Sequence, residues 1–314
     1  MNSTTRSLAL HLGLIVILFC LGFLLPAYHQ GNLARILVLA TYAIGYNVLF
    51  GYTGLLSLGH AMFFAAGMYG LGLAMHHGGI SAVPAFGIGL LSALTLSAVV
   101  AVLALRTLGV AFMIVTLMFA QACFLTILYL GTWTRGDEGF VIPQATRTIA
   151  ALDLTDPTIR YLAALSLFST ALLATARMMH VRFGSVLIAI RENEERTTML
   201  GYDVFQHKFA AVVISGTISG AAGAAYGLLF GYVGATFASV QYSILPLLWV
   251  LLGGAGTTVG PFVGAFFTFY LVDYASGLTN AYLMVVGLVL VLLVLFARAG
   301  IMGEVRRRWA KWLP

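Results

Sequence analysis

The sequence predicts an all-α, polytopic membrane protein, a single transmembrane domain over residues 1–314 with about ten transmembrane helices, some of them broken or re-entrant. Three observations predict it. The chain is 61% hydrophobic and only 8% charged, with a mean hydropathy of +1.00, whereas soluble domains carry about 25% charged residues. Apolar runs recur along the whole length, many of about 18 residues or more and so long enough to cross roughly 30 Å of hydrocarbon. These runs lack the period-two alternation of barrel strands, so the backbone must satisfy itself within helices. The 35 glycines suit helices whose backbones approach closely in lipid.

The apolar runs before residue 181 lie near 8–25, 33–50, 54–75, 82–105, 108–131 and 159–180. The first follows Arg6 and resembles a signal peptide in outline. It is long for an h-region and no A-x-A site follows, so it reads as the first span. Glycines 51, 54, 59, 67 and 70 punctuate the next stretch, which suggests a broken helix. Within it, Asn47, Thr53, Ser57 and His60 put polar atoms at membrane depth, where such groups face protein or a water-filled path. They are candidates for lining a substrate path; hydrogen bonding between close-packed helices is the other reading. Ser57 and His60, three apart, would share a face of a helix.

Arg106 marks one side of the membrane. The loop 132–157 carries Asp137, Glu138, Asp153 and Asp156 against Arg135 and Arg147, and reads as external. After the sixth run, residues 182–207 form a polar loop. Arg182, Arg191, Glu192, Glu194, Glu195, Arg196, Asp203 and Lys208 fall in or beside it. In a chain this sparing with charge, that segment must sit in water. Glu192 and Arg196 are spaced i,i+4 with the acid first, Gly201 is placed as a C-terminal stop, and Met199 and Leu200 form an apolar end. The expectation is one cytoplasmic helix of two to three turns.

Runs near 208–230, 241–255, 258–275 and 280–298 complete the chain. Gly216, Gly220, Gly223, Gly227 and Gly231 fall on one face of the first of these and predict tight helix packing. Pro246, Gly253, Gly254, Gly256 and Pro261 interrupt the stretch 241–275, as two passes or a re-entrant pair. Arg298, Arg306, Arg307, Arg308 and Lys311 place the tail in the cytoplasm, with Trp309 and Trp312 as an interfacial anchor.

The formal charge of +6 lies mostly at ends of apolar runs, which is a topology signal and gives no reason to invoke nucleic acid. Cys20 and Cys123 lie inside apolar runs and do not suggest a disulfide framework. The adjacent His76 and His77 lack metal-ligand spacing, and His11 and His180 read as interfacial or packed. Asp273 reads as an interfacial acid at a helix end. No cluster of His, Asp or Glu occurs at one depth, so neither catalytic residues nor metal ligands are expected. GAGTTVGP lacks the lysine of a P-loop.

Taken together, GYTGLLSLGHAMFFAAGMYG (51–70), FGSVLIAIRENEERTTMLGYDVFQHK (183–208), the SGTISGAAGA run and LLGGAGTTVGPFVGA (251–265) resemble the LivM-type permease subunit of branched-chain amino acid ABC transporters. Order and spacing match across nearly the whole chain; Thr197 and Thr198 depart from the alanines frequent in that family. The resemblance implies a multi-pass protein of the bacterial cytoplasmic (inner) membrane, without enzymatic activity or cofactor of its own. It implies ABC ATPase subunits that bind ATP, a second, LivH-like permease subunit and a periplasmic solute-binding protein. Arg191, Glu192, Glu194, Glu195, Arg196, Met199, Leu200 and Gly201 would form the ATPase coupling helix. The implied cargo is a branched-chain or related amino acid; urea, short amides or aromatic acids are alternatives in the same class. An ion-coupled secondary transporter would need charged groups inside the spans, for which Asp273 is the one candidate.

Overall fold

The computed structural model describes residues 3–149, 152–279, 281–296 and 299–308. Its elements are almost entirely helical. The first part of the chain forms α1 (Ser3–Leu24), α2 (Ala27–Asn47), α3 (Ala61–His76), α4 (Ala82–Ala104), α5 (Val110–Tyr129), the short α6 (Gly131–Thr134) and α7 (Pro157–His180). Two helices, α8 (Arg182–Glu192) and α9 (Glu194–Met199), carry the charged segment. Then come α10 (Val204–Phe230), α11 (Val240–Gly253), α12 (Gly260–Leu278), α13 (Tyr282–Phe296) and α14 (Ile301–Arg308).

Each apolar run falls on a helix, although residues 280, 297 and 298 of the last run lie outside the described residues. So do Trp309, Lys311 and Trp312. Among the described residues, five helices are long and apolar enough to cross a membrane: α2 with its extension to Tyr52, α4, α5, α7 and α10. The helices α3 and α11, of 16 and 14 residues, rise only about 24 and 21 Å at roughly 1.5 Å per residue. They are too short to cross alone, because each adjoins a non-helical segment where a longer span was expected.

Local chemistry sets several boundaries. Asp156 caps α7 by accepting from the amides of Thr158 and Ile159, and Pro157 occupies the first turn. Asp203 caps α10 by accepting from the Gln206 amide, and Gly231, with φ +73°, stops it. Two short antiparallel ribbons lie in the loops. Phe140–Val141 (β1) pairs with Tyr232–Val233 (β4), and Thr148–Ile149 (β2) pairs with Leu152–Asp153 (β3).

The helix α2 is the axis of the molecule. Its membrane window is 83% buried, against 28% for α4 and 17% for α5. It packs on α7, α10, α11 and α12, while α3, α4 and α10 form a second, tightly packed group. Exposed apolar side chains such as Leu91, Val99, Ile114 and Met118 cover the outer surface of α4 and α5, as a lipid-facing surface requires.

Candidate functional site

Two helix interruptions meet at the end of the molecule that carries Arg191, Lys208 and α14. The first follows α2. Its last turn widens into a π-helical segment, Val48–Tyr52, and the chain then runs without helix to His60, with Gly54 at φ +76°. The second separates α11 from α12, with Gly254 and Gly256 at φ +116° and +74°. Asn47 joins them: its Nδ2 donates to the Thr257 carbonyl at 3.0 Å and its Oδ1 accepts from the Gly256 amide at 3.0 Å. One buried amide side chain thus satisfies backbone groups that the broken helix leaves open. His11 of α1 contacts Thr258 Oγ1 at 2.6 Å on the same turn.

The other residues suggested for a path are equally buried; Asn47, Thr53, Ser57 and His60 are 1%, 2%, 1% and 0% exposed. Thr53 bonds back to the Val48 carbonyl. The Ser57 carbonyl accepts from Tyr46 Oη at 3.0 Å, while its side chain accepts from the Gly59 amide. His60 Nε2 lies 2.8 Å from Ser215 Oγ, and Ser215 donates to the Gly45 carbonyl at 2.5 Å. Ser215 has one proton to give, so it accepts from the His60 Nε2–H. Ser57 and His60 do not share a helix face, because Ser57 sits in the non-helical segment and α3 starts only at Ala61. The glycine-rich sequence forbids a continuous helix there, and the Ala61 amide instead donates to Ser243 Oγ of α11.

The charged segment is two helices, not the single helix of two to three turns expected from the sequence. Asn193 breaks it at φ −162°, ψ 106°, and its side chain accepts from the Arg196 amide at 2.9 Å. An Asn before two acidic residues is a strong N-cap, and here capping wins over continuation of α8. Glu192 and Arg196 therefore do not pair along one helix. At the other end Gly201, at φ +86°, donates to the Thr198 carbonyl and Tyr202 donates to that of Thr197, a Schellman closure.

The segment has two sides. Outward it presents Glu195 and Arg196, with Met199 84% and Leu200 74% exposed. Inward, Glu194 pairs with the buried Lys208 of α10 at 2.5 Å. Lys208 was read from the sequence only as part of the charged loop; a lysine at the first turn of an apolar run was the available signal. Arg191 also turns inward. Its Nη1 donates to the Gly51 carbonyl at 2.5 Å. Gly256, at φ +74°, adopts a backbone conformation that favours glycine, and an added Cβ would lie 3.0 Å from the Gly51 carbonyl oxygen and close to that same Nη1. A cavity of about 530 Å³ opens beside Arg191, between residues 53–56, the α4–α5 turn and Lys208.

Of the glycines on α10, Gly216, Gly220 and Gly223 abut Ser97, Ala93 and the Phe64 carbonyl, so α10 meets α3 backbone to backbone and α4 through its small side chains. Gly227 is looser, 3.4 Å from Met68 for an added Cβ, and Gly231 is the helix stop. Asp273 is exposed and accepts from Tyr28 Oη at 3.3 Å. His77 bonds to the Trp133 carbonyl, and no metal-binding group of His, Cys, Asp or Glu occurs among the described residues.

Comparison with known proteins places this geometry. The chain resembles the high-affinity branched-chain amino acid transport system permease protein LivM of Salmonella typhimurium, at 24% identity over 97% of this chain and 77% of that protein. The protein of the same description from Escherichia coli K12 is 26% identical over 84% of this chain and 67% of its own length. A probable branched-chain amino acid transport permease protein LivM of Methanocaldococcus jannaschii is 34% identical over 28% of this chain and 26% of its own. No solved structure matches the chain. Residues 30–295 match the family described as branched-chain amino acid transport system / permease component, and the chain is a multi-pass membrane protein that belongs to that family.

Proposed function

We propose that this chain is a transmembrane subunit of an ATP-driven importer for branched-chain or related amino acids in the bacterial cytoplasmic membrane. It pairs with a second permease chain, receives cargo from an external solute-binding protein, and is driven by ATPase subunits docked on the α8–α9 side. ATP is bound and hydrolysed on those subunits, and this chain does no covalent chemistry. The observation that carries the reading is the two-sided charged segment. A six-residue helix holding Met199 and Leu200 out in water is unfavourable unless a partner covers them. The same segment reaches inward through Arg191 to the place where both helix breaks meet.

The mechanism follows from that connection. A partner that grips α9 displaces α8, and Arg191 transmits the displacement to the Gly51 carbonyl. The segments 55–60 and 255–259 lie outside the continuous helices, so they rearrange at lower cost than intact helices. Alternating access then consists of moving α3, α11 and α12 about these breaks, next to Asn47, Ser57 and His60.

Co-expression with the ATPase subunits tests the docking. Glu195→Lys with Leu200→Ala reverses one charge and removes one apolar anchor on the outward side. Truncating a buried anchor costs about 1–2 kcal/mol or more of docking. The expected result is normal membrane insertion, less ATPase recovered on co-purification, and lost amino-acid uptake. Unchanged recovery and uptake in that double variant would reduce α9 to a connector.

A further inference from the structure

Arg35 has the wrong surroundings for a membrane helix. It lies eight residues into α2, whose membrane window is 83% buried, yet its side chain is exposed. A solvated guanidinium at that position faces a water-filled space or a partner, because exposure to hydrocarbon is costly. Its Cζ sits 5.2 Å from the centre of the Phe230 ring, and Arg160 Cζ sits 5.8 Å from the same ring. The Arg147 guanidinium lies against Gly231, and its Nε is buried without a hydrogen-bond partner. Three guanidinium groups thus converge on the end of α10, and none takes part in an ion pair among the described residues.

The neighbouring carboxylates are already engaged. Asp156 accepts from the amides of Thr158 and Ile159. Asp153 accepts from the Thr155 amide at 2.8 Å. Its carboxyl is held below the usual range by the Thr155 hydrogen bonds first and by the fields of Arg147 and Arg160 second. Arg160 donates its Nε and Nη2 to the Leu154 and Thr155 carbonyls, so the place is cationic and the spare donors are mainly those of Arg35.

Below Arg35, spacings of four, three and four residues put Leu39, Tyr42 and Tyr46 on the same face of α2. Tyr42 stacks on Tyr242 at 5.9 Å and packs on Phe64 at 4.9 Å, and Tyr46 lies edge-on to His60 at 4.8 Å. Tyr226 and Phe237 extend this wall to Phe230. Tyr42, Tyr46, Phe64 and His60 are enclosed in the core, while Tyr226, Phe230, Phe237 and Tyr242 keep part of their surface open and join Arg35 through Phe230.

We propose that Arg35, supported by Arg160 and Arg147, receives the carboxylate of the cargo, and that the part-exposed rings of Tyr226, Phe230, Phe237 and Tyr242 take its apolar side chain. A guanidinium fork matches a carboxylate in geometry and charge. Aromatic walls with a few placed polar groups are the usual make-up of a small-molecule site. This deepens the importer reading and rests on it: the recognised class becomes carboxylates with an apolar side chain, and uncharged amides or urea fall outside it.

Two measurements on the complete transporter test the site. In uptake assays Arg35→Met keeps the packing on Phe230 without the charge, and Arg35→Lys keeps the charge. Arg35→Met is expected to lose uptake of leucine at least tenfold and Arg35→Lys, which keeps the charge without the fork, to lose less than Arg35→Met, with equal amounts of co-purified ATPase. Wild-type uptake in Arg35→Met overturns the proposal. In a Cys20→Ser, Cys123→Ser background that keeps Arg35, Leu39→Cys, one turn along the same face, is expected to react from outside with an anionic thiosulfonate several-fold faster than with a cationic one. Millimolar leucine, but not leucinamide, should slow that reaction. Absence of labelling by either reagent, or labelling indifferent to leucine as for a site filled by lipid phosphate, also overturns it. If wild-type uptake proves independent of ATP, the importer reading fails instead, and the labelling result stands by itself.

Discussion

At the residue scale, the structure gives meaning to polar and small side chains that periodicity leaves open. Asn47 and His60 are legible as polar groups in an apolar run. Their partners, the 256–257 backbone and Ser215, lie more than 150 residues away in sequence. Arg191 reads on sequence as one more charge of a solvated segment, and in the fold it is the link to Gly51. A hydrogen bond from a charged donor contributes about 1.5–3 kcal/mol. Arg191→Ala is accordingly expected to uncouple ATP hydrolysis from uptake while α9 still recovers ATPase, as measured by hydrolysis and uptake on the same preparation. Gly223 faces the Phe64 carbonyl with no room for a Cβ. Gly223→Ala is expected to destabilise the protein by about 1–3 kcal/mol through overpacking, seen as a lower melting temperature in detergent; Gly227→Ala, with an ordinary contact, is expected to be mild.

At the scale of elements, the charged segment is the clearest case of two levels disagreeing. Its composition predicts a helix in water, and helix is what forms. The N-cap at Asn193 divides it, because a side chain that satisfies the Arg196 amide competes with continuation of α8. The division gives α9 its own orientation, and the Glu194–Lys208 pair pins it to α10. Glu194 is 43% exposed, so that pair adds little to overall stability. Its effect is positional. Lys208→Met is expected to leave the melting temperature nearly unchanged while lowering ATPase recovery on co-purification, and Lys208→Arg is expected to retain both.

At the scale of the whole molecule, charge asymmetry and the helix breaks define two ends. Arg191, Lys208 and α14 gather beside the breaks, while β1, β4 and the acid-bearing loop close the other end. The excess of Lys and Arg predicts that the first end faces the cytoplasm. In a background of Cys20→Ser and Cys123→Ser, Thr155→Cys is expected to react with an impermeant thiol reagent on intact cells. Glu195→Cys is expected to react only after permeabilisation. The opposite pattern would invert the orientation and with it the assignment of the docking side.

The sequence by itself determined the solvent, the class and the order of helices. Lipid selects for apolar runs and internal hydrogen bonding, and both are local properties that composition and periodicity record. Glycines 54, 201, 254 and 256 marked where helices stop, whereas Pro246, expected to interrupt the chain, lies inside α11 and Pro261 occupies the first turn of α12. The tertiary structure decided what those interruptions are for. Two breaks some 200 residues apart are joined by one asparagine and reached by one arginine, and the face of α2 that carries Arg35 comes to oppose Phe230. Such juxtapositions depend on how helices pack across long sequence separations, through backbone contacts that small residues allow but do not individually specify.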